Sequence, residues 1–470
     1  MHVASISLFG FSDICTMLDR RVLWLNSRYN VKLYSVLAII LATAFIIMTS
    51  IYNGLHSHMS VVTITKQKQV GPPYYPSPRF SLNTSDVYGI MFDAGSTGTR
   101  IHVLHFTREG TDSNLYLLGE VFEQVKPGLS SFAESPESSL EGLTDLLNIA
   151  KESIPEYKWA ETPVALKATA GLRLLPQDQA QSLLDLAYKL FEDSPFKVQE
   201  GDVSIMDGSS EGLYMWFTVN FLRGSFIDPD LPPVACFDLG GGSCQMAFLP
   251  KSGTTLSTAP QGYIQETEAF GKSYNLYVHS YLGLGLHAAR LAILGGEDSN
   301  SDSENILFHT LSSPCLPMHH EEEWSFNGLE YTVKGVEPIE NRFHECYQKA
   351  QLVVGSQVHQ AAELLTQTVY AFSYVIDKIE ESGFIGKTSE IEEPQSIKVG
   401  DINLIAQREC DSPREDNAFL CMDLVFISAL LRNGFGFHDD SQLVLQKRID
   451  DVEVSWALGA AVHLLNRQEV

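Results

Sequence analysis

Two aspartates, Asp93 and Asp238, each stand at the end of an apolar run and directly before a turn of small residues. Such a turn exposes backbone N–H groups and hydroxyls that can bind phosphate oxygens. The carboxylate beside it can hold a divalent cation, usually through water. The two stretches are residues 87–104 (VYGIMFDAGSTGTRIHVL) and 234–248 (VACFDLGGGSCQMAF). Together they predict a site for phosphate groups and Ca²⁺ or Mg²⁺.

Each stretch has the pattern of a β-hairpin, because an apolar run, a small polar turn and a second apolar run follow one another. One such turn taken alone is common and carries little information. The second stretch lies about 145 residues further along, a domain length rather than the period of a short repeat. The doubled pattern therefore predicts two lobes whose turns face each other across a cleft.

The paired hairpins resemble those of the superfamily of actin, sugar kinases and large heat-shock chaperones. Their amino-acid sequences are similar to those of the apyrases, the ectonucleoside triphosphate diphosphohydrolases, and most of all to those of the type 6 and type 5 members. Three more stretches match apyrase motifs in the family's order: KATAGLRLL at 167–175, DGSSEG at 207–212 and WALGA at 456–460. The resemblance extends to residues 277–286, to which residue types alone assign no chemistry. Cys244 departs from the family, which usually has Thr there.

The resemblance implies a two-lobed, actin-like α/β fold with a duplicated ribonuclease-H-like core and an active site between the lobes. It implies metal-dependent hydrolysis of a terminal nucleotide phosphate by direct attack of water. Glu211 would activate the water, Ser243 and Gln245 would orient it, and Asp93 and Asp238 would hold the cation through water. The expected phosphate-binding residues are Gly95, Ser96, Thr97, Gly98, Thr169, Gly241, Gly242 and Ser243.

Glu211 falls in the first turn of a helix predicted over residues 209–221. A helix N-terminus favours negative charge, so we expect Glu211 to be ionised at neutral pH, as a base must be. The alternative is a purely structural role, in which the Glu211 carboxylate only complements the helix dipole. A helix is also predicted over residues 363–379, and the resemblance makes Tyr374 a candidate for the nucleobase pocket. Aromatic residues at helical spacing are more often core.

The composition limits the partners of this chain. It has 470 residues, of which 44% are hydrophobic and 19% charged, enough for two core-bearing units. A net charge of −26 argues against nucleic acid, because a phosphate backbone needs a basic surface. The same charge repels a free nucleotide, so binding must come from local amides and a bound cation. We expect a monomer.

Residues 33–52 form a long apolar run without charge, enough to cross a bilayer as a helix. Basic residues precede it, so residues 1–32 are expected in the cytosol and the body in the lumen. A cleaved signal peptide is the alternative. Residues 53–85 are rich in proline towards their end and predict a stem, with Asn83 as a glycosylation acceptor.

The predicted body comprises lobe I, residues 86–207 with 447–470, and lobe II, residues 208–446. The resemblance suggests disulfides Cys315–Cys346 and Cys410–Cys421. Cys236 and Cys244 lie on opposite arms of the second hairpin. We favour two buried free thiols, and a disulfide between them is the alternative.

The expected substrates are nucleoside diphosphates such as GDP, IDP and UDP, since type 5 and type 6 relatives prefer them. The resemblance places the protein in the Golgi membrane with a lumenal body, or at the cell surface or outside the cell after cleavage. A small-molecule kinase of the same superfamily is one alternative, and a non-catalytic actin-like binding protein is another. Phosphate release with and without an acceptor distinguishes all three.

Overall fold

The structure is a computed structural model that describes residues 84–109, 115–269, 272–296, 309–327, 329–337, 341–387 and 393–467. The predicted cytosolic tail, the anchor at 33–52, almost all of the stem and Asn83 lie outside these residues. Within them, no helix combines the length and the apolar character that crossing a membrane requires.

Strands and helices alternate along the chain. The strands are β1 (Thr84–Ala94), β2 (Thr99–Glu109), β3 (Leu115–Val125), β4 (Val164–Ala168), β5 (Val203–Ile205), β6 (Ala235–Leu239), β7 (Ser243–Phe248), β8 (Ile264–Ala269), β9 (Lys272–Leu282), β10 (His309–Ser313), β11 (Glu321–Phe326), β12 (Leu329–Gly335), β13 (Val369–Ser373), β14 (Gln395–Lys398), β15 (Gln442–Leu445), β16 (Arg448–Ile449) and β17 (Val452–Glu453). The α-helices are α1 (Leu140–Ser153), α2 (Ala170–Arg173), α3 (Gln177–Glu192), α4 (Gly208–Leu222), α5 (Gly253–Thr258), α6 (Leu286–Leu294), α7 (Arg342–Val354), α8 (Tyr374–Glu381), α9 (Val399–Asp411), α10 (Leu420–Ala429) and α11 (Ala457–Arg467). Short 3₁₀ segments are Leu129–Phe132, Pro136–Ser139, Glu156–Glu161, Ala362–Thr366 and Glu415–Asn417, and one π turn is Leu430–Gly434.

Two sheets repeat one strand order. The first sheet runs β3-β2-β1-β4-β5, with β1 to β3 antiparallel and β4 and β5 parallel to β1. The second runs β14-β15-β13-β6-β7-β9-β8, and its inner part repeats the pattern, with β6, β7 and β9 antiparallel and β13 and β15 parallel to β6. This duplication is the actin-like α/β core that the paired hairpins predict. Both predicted hairpins form, as β1–β2 and β6–β7.

Alternation along β1 divides the core around the first sheet. Ile90 and Phe92 face a cluster with residues of α1 and α3, whereas Met91 faces a cluster with residues of α4 and α11. Successive side chains of a strand point to opposite faces, so each face needs its own helical cover. The last helix closes one of them, with Leu465 against the backbone of Gly89.

The predicted helix over residues 363–379 is wrong. Residues 369–373 form the strand β13 in the middle of the second sheet, between β6 and β15, and a helix begins only at Tyr374. Tyr370 and Phe372 are two residues apart, which is the spacing of a strand. The other residues of this run are apolar too, however, and the periodicity of a short buried run cannot distinguish a strand from a helix. Tyr374 therefore lies at the carboxyl end of a central strand, where sheets of this type gather ligands.

The cysteines follow the predicted pairing. The structure contains both disulfides, Cys315–Cys346 and Cys410–Cys421. Cys236 and Cys244 are free and buried in the described part of the chain, and they belong to different core clusters on opposite faces of the second sheet. A bridge between them would have to pass through the sheet. Cys244 packs behind the turn, away from the cleft.

Candidate active site

The turns of the two hairpins meet and border a cavity of about 350 Å³. A Cβ atom at Gly241 would collide with the Ser96 hydroxyl and press on Thr97, so glycine lets the two turns approach closely without displacing these side chains. Most predicted phosphate-binding residues line the cavity, namely Gly95, Ser96, Thr97, Thr169, Gly241, Gly242 and Ser243. Gly98 is not among them; its carbonyl instead accepts a hydrogen bond from the Gly95 amide (3.0 Å) and closes the first turn.

Asp93 and Asp238 line the cavity as a pair. Burial raises the pKa of both carboxyl groups; Arg100 opposes this shift at Asp93 and Ser373 opposes it at Asp238. Arg100 donates to Asp93 over 3.2 Å, while Asp238 Oδ1 is buried and has no hydrogen-bond partner within the described residues. An unpaired carboxylate oxygen beside a second carboxylate suits a hard cation.

The donor set also indicates how a cation would be held. In the part of the chain that the structure describes, no three His, Cys, Asp or Glu side chains converge as a chelating group. Two carboxylates alone cannot fill the six or more oxygen positions of Ca²⁺ or Mg²⁺. Water and substrate phosphate oxygens must provide the others, which fits the predicted binding through water.

Glu211 lies in the first turn of α4 and borders the same cavity. The helix begins there because the Asp207 carboxylate accepts hydrogen bonds from the amides of Ser209 and Ser210, each 3.0 Å long. Arg173 donates to the Glu211 carboxylate, and Gln245 donates to it over 3.0 Å.

The expectation that Glu211 is ionised at neutral pH is not met in this arrangement. Burial raises the pKa of Glu211 to about 8; Arg173 lowers it, whereas Asp238 and Asp93 raise it further. The helix N-terminus is too weak to offset the loss of solvent around this side chain. A divalent cation held by Asp93 and Asp238 would cancel their contribution and lower the pKa.

Gln245 lies one layer behind the cavity. Its amide nitrogen is within hydrogen-bond distance of Ser243 Oγ (2.8 Å) and Ser280 Oγ (3.0 Å) as well as Glu211. Arg173 also reaches Ser243 Oγ, at 3.4 Å. Ser243 borders the cavity, whereas Gln245 does not. The structure therefore brings the three predicted catalytic side chains into one hydrogen-bond network, in which Gln245 fixes Ser243 and Glu211.

The segment at residues 281–288 supports the second turn from behind. The carbonyls of Gly240, Gly241 and Gly242 accept hydrogen bonds of 2.9 Å from the amides of Leu286, His287 and Gly283, in that order. A Cβ atom at Gly285 would collide with the turn's backbone. These bonds fix the carbonyls on the side of the supporting segment. They account for the family-like stretch to which residue types assign no chemistry.

Several cationic side chains escaped the sequence reasoning: Arg173, which contacts Glu211, and four that line the cavity, Arg100, Lys126, Lys447 and Arg448. Arg173 lies inside a recognised motif, which could have marked it. Arg100 has a subtler signal, because alternation in β2 places it on a face where core residues are expected. No local sequence signal marks Lys447 and Arg448, which reach the cavity from the C-terminal part of the chain.

Tyr374, the candidate for the nucleobase pocket, lies at the cavity. Its half-buried ring borders the cavity, 5.3 Å from the ring of His287 between centroids. Lys378 Nζ lies 5.8 Å from the ring centroid of Tyr374. A half-buried aromatic face at the rim can stack on a base. The role of Tyr374 stays a prediction.

Comparison with known proteins gives consistent matches. The GDA1/CD39 (nucleoside phosphatase) family matches residues 80–470. The chain is 45% identical to ectonucleoside triphosphate diphosphohydrolase 5 of Mus musculus, over 82% of this chain and 89% of that protein. It is 46% identical to nucleoside diphosphate phosphatase ENTPD5 of Homo sapiens, with the same two shares.

A further relative is ectonucleoside triphosphate diphosphohydrolase 6 of Homo sapiens, which is 44% identical over 81% of this chain and 78% of that protein. Among solved structures, the nucleoside triphosphate hydrolases of Neospora caninum match with a TM-score of 0.55 at 14% identity. That match covers 82% of this chain and 94% of the other, and it supports the fold alone.

Proposed function

The chain belongs to the GDA1/CD39 (nucleoside phosphatase) family, and we propose that it hydrolyses nucleoside diphosphates to monophosphates and phosphate with a divalent cation. The observation that carries this proposal is the network at Glu211. A buried carboxylate with a raised pKa, held by Arg173 and Gln245, borders the cavity that both phosphate-type turns enclose. That combination is typical of a general base next to a phosphate site.

Each side chain has a role that follows from its position. Glu211 accepts the proton of the attacking water and Ser243 orients that water, while Gln245, predicted to orient it as well, acts from behind by holding Glu211 and Ser243. The amides and hydroxyls of the two turns, with Thr169, bind the phosphate oxygens and stabilise the charge that develops on them. Asp93 and Asp238 hold Ca²⁺ or Mg²⁺ through water. When bound, the cation neutralises phosphate charge and favours departure of the leaving oxygen.

The preference for diphosphates and the location rest on the relatives and on the sequence. One relative is named a nucleoside diphosphate phosphatase, and this chain is 46% identical to it. We place residues 33–52 in the Golgi membrane as a signal anchor, with the body in the lumen or released outside the cell. The two disulfides support an oxidising compartment. Lobe I comprises residues 86–207 and 447–470, and lobe II residues 208–446.

The test is phosphate release from GDP, IDP, UDP, ADP and ATP at equal concentrations by the purified full-length protein. Assays with Ca²⁺, Mg²⁺ or EDTA show the need for a cation, and an added sugar or acid acceptor tests for a kinase. We expect phosphate release to be fastest from diphosphates, to stop in EDTA and to be unaffected by the acceptor. Faster release from ATP than from every diphosphate would contradict the preference but not the hydrolase. Unchanged phosphate release in EDTA would contradict the requirement for a divalent cation.

A further inference from the structure

His102 is a buried histidine that borders the same cavity and has no role in the proposed chemistry. It lies in β2, two residues after Arg100, with none of its surface exposed. Its Nδ1 is 2.7 Å from Glu120 Oε1. Its Nε2 is buried and has no hydrogen-bond partner within the described residues. Leaving a buried polar atom unpaired is unfavourable, so such an atom is normally satisfied by water, an ion or a ligand.

The Glu120 carboxylate fixes the orientation of this ring. Glu120 Oε2 accepts a hydrogen bond of 2.8 Å from the Glu453 amide in β17, so both carboxylate oxygens are engaged. A carboxylate only accepts, and therefore the His102 Nδ1 carries the proton. The other ring nitrogen, Nε2, then presents a lone pair when the ring is neutral and a proton when it is charged. A histidine held in this way by a carboxylate is a common support for a bound cation.

The surroundings place His102 next to the predicted cation site. In the β1–β2 pair, Asp93 is opposite Arg100, and alternation puts His102 on the same face. His102 is close enough to Asp93 and to Glu453 to lower the pKa of both carboxyl groups, although burial raises them overall. Phe122, opposite His102 in β3, packs on its ring with centroids 5.1 Å apart. The ring is thus confined between an aromatic wall and the cavity.

We propose that His102 is a positioning residue whose Nε2 hydrogen-bonds an oxygen of the hydrated cation and diphosphate bound in this cavity. The oxygen belongs either to water on the cation or to a phosphate group, and both present the same partner to the ring. Glu120 and the Glu453 amide hold the imidazole for this contact. The inference rests on the proposed function, because it needs a cation and a diphosphate at Asp93 and Asp238.

The competing explanation is that His102 only joins β2 to β3 through Glu120. Two substitutions separate the roles, because Asn places its amide near the Nδ1 position and Gln near the Nε2 position. His102→Asn keeps a donor for Glu120 and loses the polar atom at the Nε2 position. His102→Gln keeps a polar atom at the Nε2 position and loses the donor. His105→Asn is the matched control, since His105 lies in the same strand but pairs with the solvent-exposed Asp86, 3.2 Å away.

The experiment measures the affinity of the full-length protein for a methylene-bridged nucleoside diphosphate, which is not hydrolysed, by calorimetry with Ca²⁺ and with EDTA. With Ca²⁺, we expect His102→Asn to weaken binding by about tenfold or more, the usual effect of losing a side chain behind a cation site. His102→Gln should retain most of the affinity, and His105→Asn all of it. If water on the cation is the partner, the loss disappears in EDTA; if a phosphate oxygen is the partner, it persists.

Thermal unfolding without ligand completes the test, because a purely structural role predicts that affinity follows stability. His102→Gln, which loses the donor to Glu120, would then be both less stable and weaker in binding than His102→Asn. Unchanged affinity in folded His102→Asn overturns the inference, and so does a greater loss of affinity in His102→Gln. Should His102→Asn fail to fold, His102→Gln decides, since a tenfold loss in that variant also contradicts the inference. Asp238→Asn tests the premise separately. If it binds the analogue as well with Ca²⁺ as the wild type does, the cation site itself is wrong.

Discussion

At the scale of single residues, the position of Glu211 explains both its reactivity and its dependence on neighbours. Its burial favours the protonated form, and two nearby aspartates favour it further, while Arg173 opposes them. Each unit of pKa corresponds to about 1.4 kcal/mol of difference between the two protonation states. The raised pKa makes the ionised carboxylate a stronger proton acceptor than a free one, and nearby positive charge lowers that pKa and increases the ionised fraction at neutral pH.

The first prediction concerns this carboxylate directly. Glu211→Gln keeps the shape and the contacts with Arg173 and Gln245 but cannot accept a proton. We expect turnover to fall by roughly 10²–10⁴, the usual share of a general base, with nucleotide binding nearly intact. Steady-state phosphate release and calorimetric binding of the methylene analogue measure the two effects. A variant that keeps most of its activity would remove Glu211 from this role.

The second prediction concerns pH. Glu211 acts as a base only when ionised, so kcat/KM should rise with pH and level off above the pKa of this group. Arg173 lowers that pKa, and Arg173→Gln should move the rising limb to higher pH by about one unit or more. Profiles at fixed Ca²⁺ from acid to alkaline pH measure the shift. If the rising limb of the kcat/KM profile stays at the same pH in Arg173→Gln, a group other than Glu211 controls it.

The same raised pKa affects stability with a defined sign. The unfolded carboxyl titrates near 4.5 and the folded one near 8, so the folded form holds the proton more tightly. The contribution of Glu211 to stability is complete below pH 4.5 and is lost as the pH rises through about 8. A cation bound at the neighbouring aspartates would reduce this loss.

At the scale of elements, the second phosphate turn depends on the start of α6. Amides of residues 283–288 bind its three glycine carbonyls, and Gly285 lies directly against the turn. The turn residues are small and have few side-chain contacts of their own. Their conformation is therefore set by a segment that follows about forty residues later in the chain, as is common for loops held by a rigid scaffold.

The third prediction tests this support. Gly285→Ala would push a methyl group into the backbone at Ser243 and Gly241, and the turn must shift to make room. Because small displacements at reacting groups cost about 10²-fold, we expect kcat to fall by this order with a smaller change in thermal stability. Gly253→Ala is the control, since its Cβ would meet open space. Equal, wild-type kcat in both variants would contradict the positioning role.

At the scale of the whole molecule, both disulfides lie in the part of the chain that follows the second hairpin, and their cysteines do not border the cavity. Cys315–Cys346 joins the end of β10 to α7, and Cys410–Cys421 joins α9 to α10. They fix the helical layer around the second sheet without touching the chemistry. Their removal should therefore affect stability more than turnover.

The fourth prediction follows from the lengths of the closed loops. The two bridges span 31 and 11 residues, and a longer loop removes more entropy from the unfolded chain. Replacing both cysteines of the longer bridge by Ala should cost about 3–4 kcal/mol of unfolding free energy, and the shorter bridge about 1 kcal/mol less. Denaturant unfolding of each double variant measures this difference, with turnover at low temperature as the control. A greater loss from the shorter bridge would contradict the loop argument.

The sequence determined the parts of this protein that depend on short-range geometry. A carboxylate, a glycine turn and two apolar runs specify a hairpin by themselves, because glycine and alternation act over a few residues. The sequence likewise predicted a helix start near residue 209 and thus the place of Glu211, and the structure adds the Asp207 cap. The repetition of the hairpin predicted the duplicated fold, and the motif order carried the resemblance.

Only the tertiary structure decided what depends on distant neighbours. Residues 369–373 became a strand because β6 and β15 were there to pair with them, which an apolar run alone cannot reveal. The raised pKa of Glu211 comes from burial and from Asp238 and Asp93, which belong to two different hairpins. The unpaired nitrogen of His102 likewise arises where β2, β3 and the C-terminal strand β17 meet. Local sequence fixes dihedral preferences, but desolvation and long-range pairing exist only once the chain has folded.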